Sequence, residues 1–219
     1  MSSLFPKYPE NNGRFLIVST TGLGDTLWAT PAIRALRYTY PQAFIGVLTT
    51  PLGKDIFRNN PHINEVFVLK KPIFFSMLCF IPFLRKKQIG TTLLFHTSQR
   101  IILPACAFVG SSQIIGSENM HKGLDFILTK SLPKKPVHEI QRRLDLVSLV
   151  GAKTYDFQME IFLDSNDKAN ACKLLENIPS HIPIVGMHPG AKDKFRQWPP
   201  EHFIALAKRL QDHLGVLLF

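Results

Sequence analysis

Cysteine is scarce. Cys79, Cys106 and Cys172 are the only three, widely spaced and in no Cys-x-x-Cys pair. An odd, scattered set excludes a disulfide framework and a zinc site of ordinary ligand spacing, and a reducing compartment is expected. An export signal is lacking too, because the opening MSSLFPKYPENNGR has neither a basic region nor an apolar stretch. No apolar run reaches the ~20 residues that a membrane-spanning helix needs. Acidic residues are few, 16 against 26 Lys and Arg, so the chain carries +10 with a pI near 9.7. That balance favours anionic partners: nucleic acid, an anionic membrane surface or phosphorylated substrates. The cations gather only in short knots, Arg85-Lys86-Lys87 and Lys134-Lys135. No basic block interleaved with aromatics is present, so nucleic acid is not expected as a partner.

What is present is the material of a globular α/β chain. At 45% hydrophobic residues it can fill a core, and disorder is not expected. FLIVST, from Phe15, is a continuous apolar run suited to a buried parallel strand. Helical spacing over Asp25 to Tyr40 follows, and AFIGVLTT is a second strand. Strand, helix and strand in this order make a right-handed βαβ unit. EVFVL near residue 67, TTLLFHT near 94 and SQIIGS near 114 continue as strands. His138 to Ala152 reads as an amphipathic helix closed by Gly151. FQMEIFLD then suggests a short strand, and a helix capped by Asp164 or Ser165 runs towards Pro179. A second strand, glycine turn and helix follow, with Ile184 to Met187, a helix from about Pro200 to His213, and an apolar strand from Val216 to Phe219 that is expected to stand unpaired. Two such openings suggest two Rossmann-like domains, the second only begun, since such a half needs on the order of 100 residues. The apolar stretch Ile73 to Leu84, IFFSMLCFIPFL, reads as a helix packed on the sheet; its rival reading is a membrane-surface contact with Arg85-Lys86-Lys87 at the headgroups.

The glycine turns carry the candidate chemistry. Gly22 and Gly24 remove side chains where a ligand could approach the backbone, beside a helix start. The dinucleotide fingerprint fails, because a third glycine is missing and the strand ending Leu48-Thr49-Thr50 carries no acid for a ribose; there is no GK[ST] for a P-loop either. Asp25 has two readings: a helix N-cap, or a general base that takes a proton from an attacking hydroxyl at the carboxyl end of the strand. In the second turn His188-Pro189-Gly190-Ala191 precedes Lys192, Lys194 and Arg196, a plausible phosphate clamp whose rival is solvated surface charge.

With both turns in view, the chain resembles the family 9 glycosyltransferases, the lipopolysaccharide heptosyltransferase group. The resemblance is carried by Thr21-Gly-Leu-Gly-Asp-Thr-Leu-Trp-Ala-Thr-Pro-Ala-Ile-Arg-Ala-Leu36, by Val185-Gly-Met-His-Pro-Gly-Ala191 and by Arg196-Gln-Trp-Pro-Pro-Glu-His-Phe203. Leu94-Phe-His-Thr-Ser-Gln-Arg100, Ile115-Gly116 and His138-Glu139 add to it. It implies a GT-B architecture: an extension over 1–13, a Rossmann-like acceptor-side domain over 14–178, and only the start of a donor domain over 179–219. The family's later Asp-[Ser/Thr]-Gly turn, followed by a His, is not among these residues, so a C-terminally truncated member is expected. The resemblance further implies inverting transfer of heptose from ADP-heptose to a lipid A or core-sugar acceptor. Asp25 is then the base, and Gly22, Gly24, Thr26, His188, Pro189, Gly190, Ala191, Lys194 and Arg196 contact substrate, Arg196 near a phosphate. No metal or cofactor is expected, and the chain is expected to act as a cytoplasmic monomer, peripheral on the inner membrane. Two alternatives stand beside this: an inert acceptor-side binding module, or a split or decayed gene product. A nucleotide-binding oxidoreductase is disfavoured by the failed fingerprint.

Overall fold

The computed structural model describes residues 13–96, 100–154, 156–179, 181–191, 193–214 and 217–218. Residues 1–12 of the expected N-terminal extension, Lys192, and the ends of the expected strand at Val216 and Phe219 lie outside them. The chain divides into two compact units, Met1–Phe162 and Leu163–Phe219.

Unit 1 is a six-stranded, wholly parallel sheet in the order β3-β2-β1-β4-β5-β6. The strands are β1 (Arg14–Ser19), β2 (Phe44–Thr49), β3 (Glu65–Val68), β4 (Thr91–His96), β5 (Gln113–Ser117) and β6 (Lys130–Leu132). The chain winds outward from β1 through β2 to β3, then returns to β1's other side at β4 and winds outward again. Such a reversal leaves a crevice at the carboxyl ends of β1 and β4. Five helices of four turns or fewer pack around the sheet: α2 (Thr30–Thr39), α3 (Pro51–Phe57), α4 (Ile73–Lys86), α5 (Ile102–Val109) and α6 (Glu139–Ser148), preceded by the short α1 (Leu23–Leu27).

Alternation along β1 explains the two layers. Phe15 and Ile17 enter one core with Ile33 and Leu36 of α2 and Leu144 and Val147 of α6. Leu16 and Val18 enter the other with Met77 and Leu84 of α4 and Leu103 and Cys106 of α5. Successive side chains of a strand point to opposite faces, so a strand covered on both sides must be apolar at every position, as FLIV is. Cys106 belongs to this packing: burial pushes its thiol up to about 12, out of the range of a reactive thiolate.

Several expected elements differ. The helix expected over Asp25 to Tyr40 is two, broken at Trp28 and Ala29, with Pro31 in the first turn of the second. FQMEIFLD forms no strand among the described residues. It is a strap held on α2 by Arg34, whose guanidinium reaches Asp156 and Glu160 at 2.8 Å each, while the Glu160 N–H donates to Thr30 Oγ1 at 3.1 Å. His62 sits against the strap, with Nε2 3.3 Å from Glu160 and its ring edge-on to Tyr38 and Phe162.

Unit 2 holds α7 (Ser165–Leu175), β7 (Ile184–Val185), α8 (Pro200–Leu214) and β8 (Leu217–Leu218). Asp164 caps α7 through a reciprocal capping box with Asp167. This helix, expected to close the first domain, groups with the second unit. The last strand is not unpaired: Leu217 and Leu218 lie parallel to Ile184 and Val185. No residue of this unit described up to Leu214 is fully buried.

Two outcomes test this packing. A Cβ on Gly53 in α3 would lie 2.1 Å from Thr49 Oγ1 and 3.2 Å from Thr26 Oγ1. Helix propensity favours Gly53→Ala by about 1 kcal/mol, but the clash falls on a buried, stiff threonine and overpacking costs about 1–3 kcal/mol. Urea denaturation should show net destabilisation; a gain would mean that α3 shifts freely. Secondly, burial lowers the His62 pKa from its ordinary 6.5; Glu160 opposes this, and Arg34 and Arg37 reinforce it. Below pH 6.5 the unfolded chain therefore binds a proton that the folded one does not, and stability falls as the pH drops through the lowered value. His62→Phe should flatten that acid slope, and an unchanged slope would clear His62 of it.

Candidate active site

The first turn lies at the carboxyl edge of the sheet, just after β1. The pairing of β1 with β4 changes register between Val18 and Ser19, at this same edge. Gly22 caps α1 in an extended conformation (φ −69°, ψ 170°), and neither it nor Gly24 has positive φ. The backbone therefore does not require glycine at either position. What the glycines leave is room: a Cβ on Gly24 would meet nothing within 4 Å, and one on Gly22 would meet only Asp25 Oδ2, at 3.8 Å. Thr26 is fully buried, its hydroxyl donating to the Gly22 carbonyl at 3.0 Å, so it fixes the turn from inside.

Asp25 is the third residue of α1. The N-cap reading does not hold, because Gly22 occupies the cap and no side chain bonds there. The Asp25 side chain keeps 29% of its surface exposed and faces one cation, with Oδ1 3.9 Å from Nη2 of Arg143. Arg143, on α6, is wholly buried. Its Nη1 donates to the Glu139 carbonyl at 2.8 Å and to Glu139 Oε2 at 3.2 Å, and its guanidinium carbon lies 5.9 Å from the centre of the Trp28 ring. Nε and Nη2 have no hydrogen-bond partner among the described residues. Burial lowers the Arg143 pKa, while the carboxylates of Glu139 and Asp25 hold it up. The order of placement is local: His138 caps α6 by accepting from the Ile140 N–H, and its ring meets Trp28 edge-on at 5.3 Å, which fixes the helix start over the turn. A carboxylate open to solvent and backed by a buried cation can receive a proton from a hydroxyl.

A cavity of about 160 Å³ opens at the ends of β4 and β5, with Ser117, Asn119, His121 and Lys134 among its lining. Gly116 makes room for the His121 ring: a Cβ there would stand 2.8 Å from its Nε2. Sequence reasoning did not assign roles to Arg143, Trp28 or His121. The signal for Arg143 was the regular spacing of α6, where an arginine falls on the inward stripe between Ile140 and Leu144 and Val147.

The second turn, in unit 2, is exposed. His188, Pro189 and Gly190 are open to solvent and Ala191 is half-buried. Gln197 donates to the Ala191 carbonyl at 2.8 Å and closes the loop, and Trp198 stacks on His202 at 5.3 Å. Lys194 and Arg196 occupy a single 3-10 turn, Lys194–Arg196. Arg196 is 68% exposed, 3.4 Å from Asp193 and packed on Phe195. Among the described residues no group of three or more His, Cys, Asp or Glu could hold a metal ion.

If Asp25 serves chemistry rather than the fold, its charge should matter little to stability. Glu139→Gln, which strips a buried guanidinium of its close partner, should cost about 2–3 kcal/mol in chemical denaturation. Asp25→Asn, at a longer and wetter contact, should cost less than about 1 kcal/mol. Equal losses would make Asp25 a structural counter-ion.

Comparison with known proteins bears on this geometry. Residues 105–219, which include Arg143 and the second turn, match the family described as Glycosyltransferase family 9 (heptosyltransferase). No curated protein matches. Among solved structures, a glycosyl transferase family 9 protein of Veillonella parvula superposes with a TM-score of 0.81 at 18% identity, over 97% of this chain and 64% of that one. The E. coli ADP-heptose lps heptosyltransferase II gives 0.71 at 19% identity, over 94% and 63%. E. coli heptosyltransferase WaaC with ADP gives 0.68 at 18% identity, over 94% and 66%. The chain thus has the α/β, GT-B type fold and spans about two thirds of the length of these structures. By sequence and by fold, it belongs to glycosyltransferase family 9.

Proposed function

We propose that the chain is the acceptor-side part of an inverting heptosyltransferase that moves heptose from ADP-heptose to the lipopolysaccharide inner core, in the cytoplasm and as a monomer. The observation that carries the reading is Asp25, part-exposed under open space at Gly24 and backed by the buried Arg143. In the proposed step an acceptor oxygen attacks the anomeric carbon of the donor, the bond from that carbon to the diphosphate oxygen breaks, and ADP departs with the electron pair. The acceptor proton passes to the Asp25 carboxylate. Arg143 holds that carboxylate in place by charge and acts as a positioning residue. The turn His188 to Ala191, with Lys194 and Arg196, would meet the developing diphosphate charge, so the scheme uses neither metal nor cofactor. A solved E. coli relative with ADP-2-deoxy-2-fluoro heptose supports a nucleotide-sugar donor.

The second reading, an inert acceptor-binding module, is favoured by one observation: among its residues described up to Leu214, the unit that would hold the donor has none fully buried.

Two measurements separate them. Thermal-shift titrations with ADP-heptose and with a lipid A precursor should show acceptor stabilisation; the enzyme reading further requires ADP release when both are present. Asp25→Ala should then lower that release by about 10²-fold or more, with melting unchanged. Undiminished release would remove Asp25 from the chemistry, and acceptor binding without any release would leave the module.

A further inference from the structure

Between Glu65 and Glu118 the sequence contains no acidic residue, yet Lys70, Lys71, Arg85, Lys86, Lys87 and Arg100 all fall there. The interval takes in α4 and α5, so the positive charge of the chain is uneven and concentrates around one helical layer.

Helix α4 turns only part of its surface inward. Met77 and Leu84 are buried, and Ile73, Phe80 and Ile81 pack on the same core. On the opposite arc, at the helical period, stand Phe74, Phe75, Leu78, Cys79 and Pro82, all exposed. Phe75 keeps 64% of its surface in solvent, Phe74 51% and Leu78 49%. A surface helix ordinarily carries polar residues on that arc. Its neighbour α5 exposes Phe108 as well. The apolar arc has cations at both ends: Lys70 and Lys71 are exposed just before the helix, and Lys86 is exposed in its last turn. Lys87 is engaged elsewhere, 2.6 Å from Glu65 and 5.0 Å from the Phe83 ring centre.

The helix cannot cross a bilayer, since 14 residues reach about 21 Å against a hydrocarbon core of ~30 Å. We infer that α4 is a membrane-docking surface, lying flat on anionic phospholipid with Phe74, Phe75 and Leu78 between the acyl chains and Lys70, Lys71 and Lys86 at the headgroup phosphates. A second copy of the chain fits this face poorly, because a two-fold contact would bring the cations of both copies together with no acid to separate them. Helix α4 runs back from the carboxyl end of β3 towards the start of β4, so its Lys70, Lys71, Phe74 and Phe75 end lies at the same sheet edge as Asp25. Docking along α4 sets that edge beside the bilayer surface, where an acceptor anchored in lipid would present its sugars.

Vesicle co-sedimentation of the 219-residue chain tests this without nucleotide or sugar, so its failure is distinct from a failure of the glycosyltransferase reading. The chain should pellet with phosphatidylglycerol-rich vesicles and remain largely free with phosphatidylcholine alone. Phe74→Ser with Phe75→Ser should weaken binding by about tenfold or more. Lys70→Glu with Lys71→Glu should weaken it by on the order of fivefold per charge removed. These side chains are exposed, so melting curves should coincide with that of the unaltered chain. Three results would overturn the inference: no pelleting with either vesicle, undiminished pelleting of the ring variant, or a concentration-dependent dimer that the ring variant abolishes.

Discussion

A parallel sheet has to be covered on both faces, and that requirement organises this protein. β1 lies third in the sheet with every apolar side chain committed, Phe15 and Ile17 to one layer and Leu16 and Val18 to the other. Because β2 and β4 flank it and the chain winds away on either side, the carboxyl end of β1 is a reversal point of the fold. The turn that follows is thereby delivered to a place where no further strand can fill the space above it. Asp25 owes its partial exposure to this placement as much as to its neighbours.

The site is stabilised from behind. A wholly buried guanidinium is costly unless it is paired, and Arg143 has Glu139 at hydrogen-bond distance with Asp25 only as a longer contact. The division matters, because the fold's charge balance rests on Glu139 and leaves Asp25 available. Trp28 and His138 join the two helices that carry these groups, so the break between α1 and α2 is part of how the site is built. An unbroken helix from residue 25 to 40 would have carried Trp28 on a different course.

Much of the architecture was legible in the chain. Continuous apolar runs marked β1, β2, β4 and β5, and helical spacing with Gly151 at φ +92° marked the end of the α6 region. β6 was not legible, because three residues with a lysine carry no period and are recruited by Ile115, Gly116 and Ser117 across the ladder. FQMEIFLD alternates like a strand but finds no strand to pair with; Arg34 instead captures its Glu160 and the preceding Asp156. In unit 2 the sequence placed the turn and α8 correctly, while the pairing of β8 with β7 came from the fold.

The sequence by itself determined that Asp25 would follow a buried strand between glycines, that the chain would be α/β, and that cations would gather in the second turn, since period and residue type are local properties. Only the tertiary structure decided that Asp25 is not a cap, that its cationic neighbour is Arg143, 118 positions away in the sequence (143 minus 25), and that α4 turns phenylalanines outward. Those outcomes depend on which surfaces meet, and contact between distant segments leaves no trace in local spacing.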